Sequence, residues 1–228
     1  MKTIELLEKL KGKAVFKVQD VERIASCDRE YAKLLLNRLK KKGYVKSIVK
    51  NTYTIKEDTF VVASNITSPS YISFWSASRF LGYTEQILNT VYIATTRRFR
   101  PVRFEGYRIE FVPMKHFFGY RKMTTNEGEL FIAEDEKLLI DAFLRPRKCG
   151  NFDEIKKIFE NANVEEGRLI SYLERTGSQT VIKRAGFMLE KTRGIDLSRH
   201  FRLDRNYVPL DPFSGRGDKA DAKWRVRV

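Results

Sequence analysis

Cysteine and histidine are scarce in this 228-residue chain, which contains two of each. Cys27 and Cys149 lie far apart and no CxxC pair occurs, so neither a disulfide framework nor a zinc ribbon is supported. So little cysteine favours a reducing compartment. His116 and His200 stand without the HExxH, nucleophile-elbow or phosphate-loop sequences that mark common catalytic sites.

Long apolar runs are also missing. No stretch approaches the ~20 apolar residues that a membrane-spanning helix needs. The first residues, MKTIELLEKLKGK, carry acidic side chains that the apolar segment of a signal peptide would not contain. We therefore expect a cytoplasmic protein without a membrane partner.

Basic residues outnumber acidic residues: the chain has 44 Lys and Arg and 29 Asp and Glu, which gives a formal net charge of +15. An excess of this size favours a polyanionic partner, either nucleic acid or an anionic membrane surface. The alternative is a solvated cationic surface without a specific partner. With 42% hydrophobic residues the chain is long enough and apolar enough to bury a substantial core.

An acidic cluster, AEDEKLLID at residues 133–141, is the best catalytic candidate. Its carboxylates are Glu134, Asp135, Glu136 and Asp141. With Lys137 nearby and Glu110 as a further ligand, they could hold Mg²⁺ in a metal-dependent nuclease. The simpler interpretation is that acids favour the positive end of a helix and that Lys137 and Asp141 form a surface pair. We predict no enzyme, no metal and no cofactor, and keep the nuclease as the weaker alternative.

Residues 1–57 show the element order of a winged helix-turn-helix. Apolar residues at helical spacing predict two short helices, and a third follows between an N-cap at Ser26 or Asp28 and a C-cap glycine at Gly43. YVKSIV and TYTI, separated by Lys50-Asn51, predict a β-hairpin. The order helix, helix, turn, helix, hairpin indicates a winged helix-turn-helix more specifically than any one of these elements does.

The third predicted helix has two different faces. Its apolar face carries Tyr31, Ala32, Leu35, Leu36 and Leu39, and we expect it in a core. The opposite side offers base-edge donors, phosphate-neutralising lysines and Leu34, which could touch a thymine methyl group, so we predict that it docks in the major groove. The predicted DNA-binding residues, two of them on the hairpin, are Arg29, Lys33, Asn37, Lys40, Lys41, Lys46 and Lys50. For Lys40, Lys41 and Lys42, a solvated helix end favoured by the helix dipole is an equal alternative.

A second basic stretch, TTRRFRPVRF at residues 95–104, interleaves aromatic residues with arginines. The arginines are Arg97, Arg98, Arg100 and Arg103. Arginines beside aromatics suit contacts with nucleic-acid backbone and bases, which makes this a second candidate nucleic-acid patch. An exposed turn with core aromatics and solvated arginines explains the pattern equally well.

Strands and helices mix in the rest of the chain. TVYIATT, VRFEGYRIEFV and ELFIA predict strands, the second of them a hairpin around Glu105-Gly106. Helices are predicted from Ser70 or Ser73 to Gly82, from the acidic cluster to Pro146, and three times between 151 and 192. Near the end Trp224, Val226 and Val228 alternate as in a closing strand. The predicted class is α+β, with an N-terminal winged helix-turn-helix (1–57), a mixed α/β domain ending in helices (58–192) and a basic C-terminal extension (193–228).

The stretch PSYISFWSASRFLGYTEQILNTVYIATTRRFRPVRFEGYRIEFV, residues 69–112, resembles the middle region of AbiEi-type antitoxins of type IV toxin-antitoxin systems. IAEDEKLLIDAFLRPRKCG at 132–150 and GSQTVIKRAGFMLEK at 177–191 are similar too, and an N-terminal winged helix precedes these blocks in that family. The resemblance covers about residues 5–191 in order.

The resemblance implies a DNA-binding repressor of its own operon that acts at inverted repeats in double-stranded DNA. It also implies that the larger domain counteracts a nucleotidyltransferase-like toxin, in general without a tight complex. Some relatives neutralise by other routes, including modification of the toxin. From a different functional class, a protein-interaction module that uses the N-terminal helices and Leu34 stays open.

Overall fold

The computed structural model describes residues 3–214 and 217–228. Helices and strands are mixed along this part of the chain, so the predicted α+β class is confirmed. The described residues form two compact units. The first takes in Met1–Ile72, Asn89–Met114 and Lys122–Ile132, and the second takes in Ser73–Leu88, Lys115–Arg121 and Ala133–Val228. The domain boundaries predicted at residues 57 and 192 rest on turn-forming and loop-forming residues in the sequence and not on these contacts. They stay predictions.

Three helices and a three-stranded sheet begin the first unit. The helices are α1 (Thr3–Leu10), α2 (Val18–Ala25) and α3 (Arg29–Lys41). The strands are β1 (Phe16–Lys17), β2 (Lys46–Val49) and β3 (Thr52–Thr54), antiparallel in the order β1-β3-β2. The predicted helices and hairpin are confirmed, whereas β1 was not predicted. One core joins them: Leu6, Leu10, Phe16, Val18, Val21, Ala32, Leu36, Leu39 and Val45.

The ends of α3 lie where the sequence predicts them. The Asp28 side chain accepts a hydrogen bond from the backbone N–H of Tyr31 at 2.9 Å, so Asp28 is the N-cap. Past the last turn, Gly43 has a φ of 77° and the Tyr44 N–H donates to the Leu39 carbonyl at 3.0 Å. These bonds satisfy backbone groups at both ends of the helix.

The predicted core face of α3 needs a correction. Ala32 and Leu36 are fully buried, but Tyr31 is 48% exposed, and Leu35 is only half-buried against the same core. At 100° per residue Tyr31 lies about 100° around the helix from Ala32, at the margin of the apolar arc. The core-facing stripe is therefore narrower than the sequence pattern suggests.

A mixed six-stranded sheet follows in the chain. Its strands are β4 (Ser70–Ile72), β5 (Thr90–Thr95), β6 (Val102–Phe104), β7 (Tyr107–Pro113), β8 (Tyr120–Thr124) and β9 (Glu129–Ala133). Their spatial order is β6-β7-β5-β4-β9-β8, with β7 parallel to β5 and antiparallel to β6. The predicted hairpin turn is confirmed, because Glu105 and Gly106 both have positive φ angles, 47° and 81°. Helix α4 (Thr59–Asn65), β4 and β8 were not predicted.

Five helices dominate the second unit, as the sequence predicts. They are α5 (Phe74–Phe80), α6 (Asp135–Leu144), α7 (Phe152–Asn161), α8 (Glu166–Thr176) and α9 (Gln179–Arg193). Helix α6 packs against each of the other four, and its side chains from Glu136 to Phe143 are buried. It is therefore the central helix of this unit.

The C-terminal segment folds onto α9. Short strands β10 (Val208–Pro209), β11 (Ala220–Asp221) and β12 (Val226–Arg227) form a three-stranded sheet. The Trp224 ring packs on Gly186 of α9, and its Nε1 donates to Glu190 at 2.6 Å. Of the three residues of the predicted closing strand, only Val226 lies in a strand, since Trp224 is in the turn before β12. Trp224 and Val226 are buried, whereas Val228 is 53% exposed.

Candidate nucleic-acid interface

The side of α3 opposite the core is open to solvent. All the predicted contacts on α3 are exposed, with Lys33, Asn37 and Lys41 on this side and Arg29 and Lys40 on its flank. Leu34 is 43% exposed among them. The structure thus leaves the polar and basic residues of α3 accessible while Ala32, Leu36 and Leu39 hold the helix on the core.

A cleft of about 280 Å³ lies where α2, α3 and the β2–β3 turn meet. Lys17, Arg29 and Lys50 bring cationic groups to it, and Gln19 and Asn51 add side-chain amides. The three cations are exposed. Within residues 3–214 and 217–228 none of them has an ion-pair partner. A cleft of this kind can accept an anion of the size of a phosphate.

Local geometry explains why these residues converge. Lys17 ends β1 and directly precedes α2, and Arg29 is the first residue of α3. Lys50 and Asn51 form the turn between β2 and β3, with Asn51 at a φ of 62°. Lys17 and Gln19 were missed from the sequence, because only the pairing of β1 with β3 brings them near the turn.

Two of the predicted DNA-binding lysines already pair with carboxylates of the protein, so they are less available to bind a phosphate. Lys33 Nζ lies 2.6 Å from Glu30 Oε1 in an exposed pair. Lys46 Nζ lies 3.4 Å from Glu105 Oε2 and 3.8 Å from Glu57 Oε1, and its side chain is only 31% exposed. Carboxylates of the protein therefore compensate part of the charge of Lys33 and Lys46.

The second basic stretch forms the loop between β5 and β6 and continues into β6. Arg97, Arg98, Arg100 and Arg103 are all exposed. Of the two aromatic residues between them, Phe104 is buried, whereas Phe99 is 42% exposed and packs against Phe111 with ring centroids 5.5 Å apart. The expectation that both rings belong to the core therefore holds fully for Phe104 alone.

In the acidic cluster of the second unit, one ion pair lies in a different environment from the one that the sequence predicts. Lys137 and Asp141 do pair at i,i+4, but both are completely buried rather than on the surface. Ser73 Oγ donates to the other Asp141 oxygen at 2.8 Å. The side chains of α6 from Glu136 to Phe143 are buried, so this part of the helix has no solvent face for charged residues.

Tyrosines bind the first carboxylates of this cluster. Tyr172 OH donates to Glu134 at 2.6 Å, and Tyr83 OH donates to Asp135. Burial, followed by the hydrogen bond to Glu134, raises the pKa of Tyr172 to about 12. Burial and the bond to Asp135 likewise raise the pKa of Tyr83. Both hydroxyls therefore stay protonated donors at neutral pH.

A polar cavity of about 380 Å³ lies beside these carboxylates. Its wall includes Arg121, Asn163 and Arg168 together with Glu134, Asp135 and Glu136. Glu136 accepts the backbone N–H of Glu165 at 2.8 Å. Within the described ranges 3–214 and 217–228, no group of three or more His, Cys, Asp or Glu residues is arranged to hold a metal ion.

No helix in the described part of the chain combines the length and apolarity that crossing a bilayer requires. No protein-family model matches the sequence, and no curated protein is similar to it. Among solved structures, the chain is similar to the crystal structure of the RV2827C protein from Mycobacterium tuberculosis, with a TM-score of 0.64 and 14% sequence identity. The match covers 98% of this chain and 89% of that one. At this identity, what the two chains share is the fold.

Proposed function

We propose that the protein is a DNA-binding transcriptional regulator whose N-terminal elements form a winged helix-turn-helix. The observation that carries the proposal is the cleft beside the exposed face of α3, where Lys17, Arg29 and Lys50 have no ion-pair partner among residues 3–214 and 217–228. Helix α3 would enter the major groove while the cleft holds a backbone phosphate.

The N-terminal architecture supports this proposal. Three helices and a small sheet in the order β1-β3-β2 are typical of a winged helix, with α3 as the recognition helix and the β2–β3 hairpin as the wing. The Lys50-Asn51 turn is the tip of that hairpin. A net charge of +15 adds long-range attraction to a polyanion.

The predicted contact residues have different roles in the proposed complex. Asn37 is a bidentate donor and acceptor suited to the edge of an adenine. Arg29 and Lys50 neutralise the phosphate in the cleft, and Lys40 and Lys41 contact backbone near the end of α3. Lys33 and Lys46 contribute less than the sequence suggested because carboxylates of the protein already pair with them.

We further propose, on the resemblance of residues 69–112 and the later blocks, that the protein is an AbiEi-type antitoxin in the cytoplasm. It would repress its own operon at inverted repeats and counteract a nucleotidyltransferase-like toxin without a tight complex. The larger part of the chain would carry this second activity.

A second candidate function is protein binding by the same helix. Tyr31 and Leu34 expose 48% and 43% of their surfaces on α3, and Tyr44 follows at 53%. Apolar and aromatic groups at such positions can bind another polypeptide. Contact of this kind would depend weakly on salt, in contrast to phosphate binding.

Substitutions at two positions of α3 test the DNA proposal. Asn37→Ala should cost about 1–3 kcal/mol on the specific site and little on unrelated DNA, because it removes a base contact. Lys40→Ala is the matched control and should weaken both complexes alike. Affinities are measured by fluorescence anisotropy on the DNA upstream of the gene and on a scrambled duplex. An unchanged ratio of specific to nonspecific affinity in Asn37→Ala would show that α3 does not read bases through this residue.

A further inference from the structure

We propose that the loop before β6 and the β6–β7 hairpin form a second DNA-backbone contact, beside the wing. We call residues 96–108 the arginine hairpin. The proposal rests on the DNA-binding function proposed above and extends the interface beyond residues 1–57. Its ligand is the phosphate backbone of duplex DNA next to the segment that α3 reads.

Position is the first argument. Strand β2 is the edge of the three-stranded sheet and β6 is the edge of the six-stranded sheet. The two edge strands lie next to each other within the first unit. Lys46 of β2 reaches the turn of the arginine hairpin, where its Nζ lies 3.4 Å from Glu105 Oε2. A duplex that contacts the wing therefore passes close to the arginine hairpin.

Unpaired charge is the second argument. The four exposed arginines of the stretch are Arg97, Arg98, Arg100 and Arg103. In the part of the chain that the structure describes, none of them has an ion-pair partner. Arg108, which faces Arg103 across the hairpin, lies 3.8 Å from Glu110 and is exposed as well. Five exposed guanidinium groups on one surface, four of them without an ion pair among the described residues, favour a phosphate ligand, which arginine binds bidentately.

Rigidity is the third argument. The Phe99 ring packs against Phe111, and Thr95 Oγ1 donates to the Arg97 carbonyl at 2.7 Å, so the loop is held at both points. The tight turn at Glu105-Gly106 fixes the hairpin. The Phe99 ring already packs against Phe111, so only its exposed 42% could meet a nucleobase, whereas the four arginines beside it are exposed. Phosphate contact by preplaced arginines is therefore favoured over recognition of single-stranded bases.

Three double variants of the full-length protein test the proposal on a labelled duplex from upstream of the gene. R98A/R103A removes two charges from the arginine hairpin, and R29A/K50A removes two from the cleft beside α3. R202A/R205A is the matched control, because it removes two exposed arginines from the second unit. Anisotropy titrations at three salt concentrations give the affinity and its salt slope, and thermal unfolding verifies that each variant is folded.

We expect R98A/R103A to flatten the slope of log K against log salt by about 2 units and to weaken binding roughly 10- to 60-fold at ~0.1 M salt, at about 0.9 units per lost phosphate contact. The control should match the wild type. If R29A/K50A alone weakens binding, the arginine hairpin is not a contact but the DNA-binding function stands. If R98A/R103A alone does so, the hairpin binds DNA and the assignment to α3 is wrong. Absence of binding by the wild type would overturn both.

Discussion

Leu35 and Leu36 are neighbours in α3, yet their contributions to stability should differ. Leu36 is fully buried and Leu35 only half-buried. Leu36→Ala should therefore lower the free energy of unfolding by about 2–5 kcal/mol, as expected for a cavity in a packed core. Leu35→Ala should cost clearly less, and urea denaturation measures both. If Leu35→Ala lowered the free energy of unfolding as much as Leu36→Ala or more, the orientation of α3 with Leu36 towards the core would be wrong.

A buried carboxylate gives the second unit a pH-dependent stability. Glu154 accepts hydrogen bonds from Trp75 Nε1 at 2.9 Å, Thr84 Oγ1 at 2.5 Å and Lys157 Nζ at 2.7 Å. Burial raises the pKa of the Glu154 carboxyl, but these three donors outweigh it and hold the pKa below its usual value. The carboxylate therefore stabilises the fold above the unfolded-state pKa of about 4.3, and this stabilisation is lost as pH falls through the lower folded-state pKa.

Glu154→Gln should therefore lower the free energy of unfolding by about 1–3 kcal/mol at neutral pH, because it replaces charge-assisted hydrogen bonds at a buried site. The difference from the wild type should shrink as the pH is lowered below about 4. Urea denaturation at pH 7 and at pH 3 measures it. A difference that stays constant between these values would mean that the charge of Glu154 is not the stabilising feature.

The packing of the C-terminal segment on α9 depends on the close contact between Gly186 and the Trp224 ring. A Cβ atom on Gly186 would lie 2.0 Å from a ring carbon of Trp224, so even alanine would displace the indole. Gly186→Ala should lower the melting temperature and shift the tryptophan fluorescence. Gly167→Ala in α8 is the control, since its Cβ would meet only the flexible Glu165 side chain and alanine favours a helix. Equal melting temperatures for the two variants would show that Trp224 does not depend on this contact.

The sequence predicts an element well where local signals agree. Asp28 and Gly43 mark the ends of α3, and Glu105-Gly106 marks the β6–β7 turn, because capping and turn chemistry act within a few residues. Two- and three-residue strands such as β1 and β4 show no periodicity to detect. The burial of the Lys137–Asp141 pair was also not predicted, because the sequence spacing i,i+4 is the same for an ion pair on a surface and for one in a covered helix.

The candidate interface was predictable only in part. Helical periodicity places Asn37 and Lys41 opposite the core without knowledge of the fold. The cleft with Lys17 required strand pairing between residues far apart in sequence. The carboxylate partners of Lys46, from Glu57 and the distant Glu105, required tertiary contacts in the same way.

At the scale of the whole molecule, charge and fold support the same proposal. The excess of 15 positive charges is a property of the full sequence. In the first unit it includes cations beside α3 and in the arginine hairpin that have no ion-pair partner among the residues that the structure describes: Lys17, Arg29, Lys50, Arg97, Arg98, Arg100 and Arg103. Contacts with about 4–6 phosphates would give a slope of log K against log salt of roughly −4 to −5.

A titration of the purified wild-type protein against the DNA upstream of its own gene, with scrambled competitor and at three salt concentrations, tests the central proposal most directly. We expect a preference for the upstream fragment together with a slope of about −4 to −5. Binding with a steep slope and no preference would contradict a sequence-specific regulator. Absence of binding would contradict DNA recognition altogether and favour the exposed Tyr31 and Leu34 as a protein-binding surface.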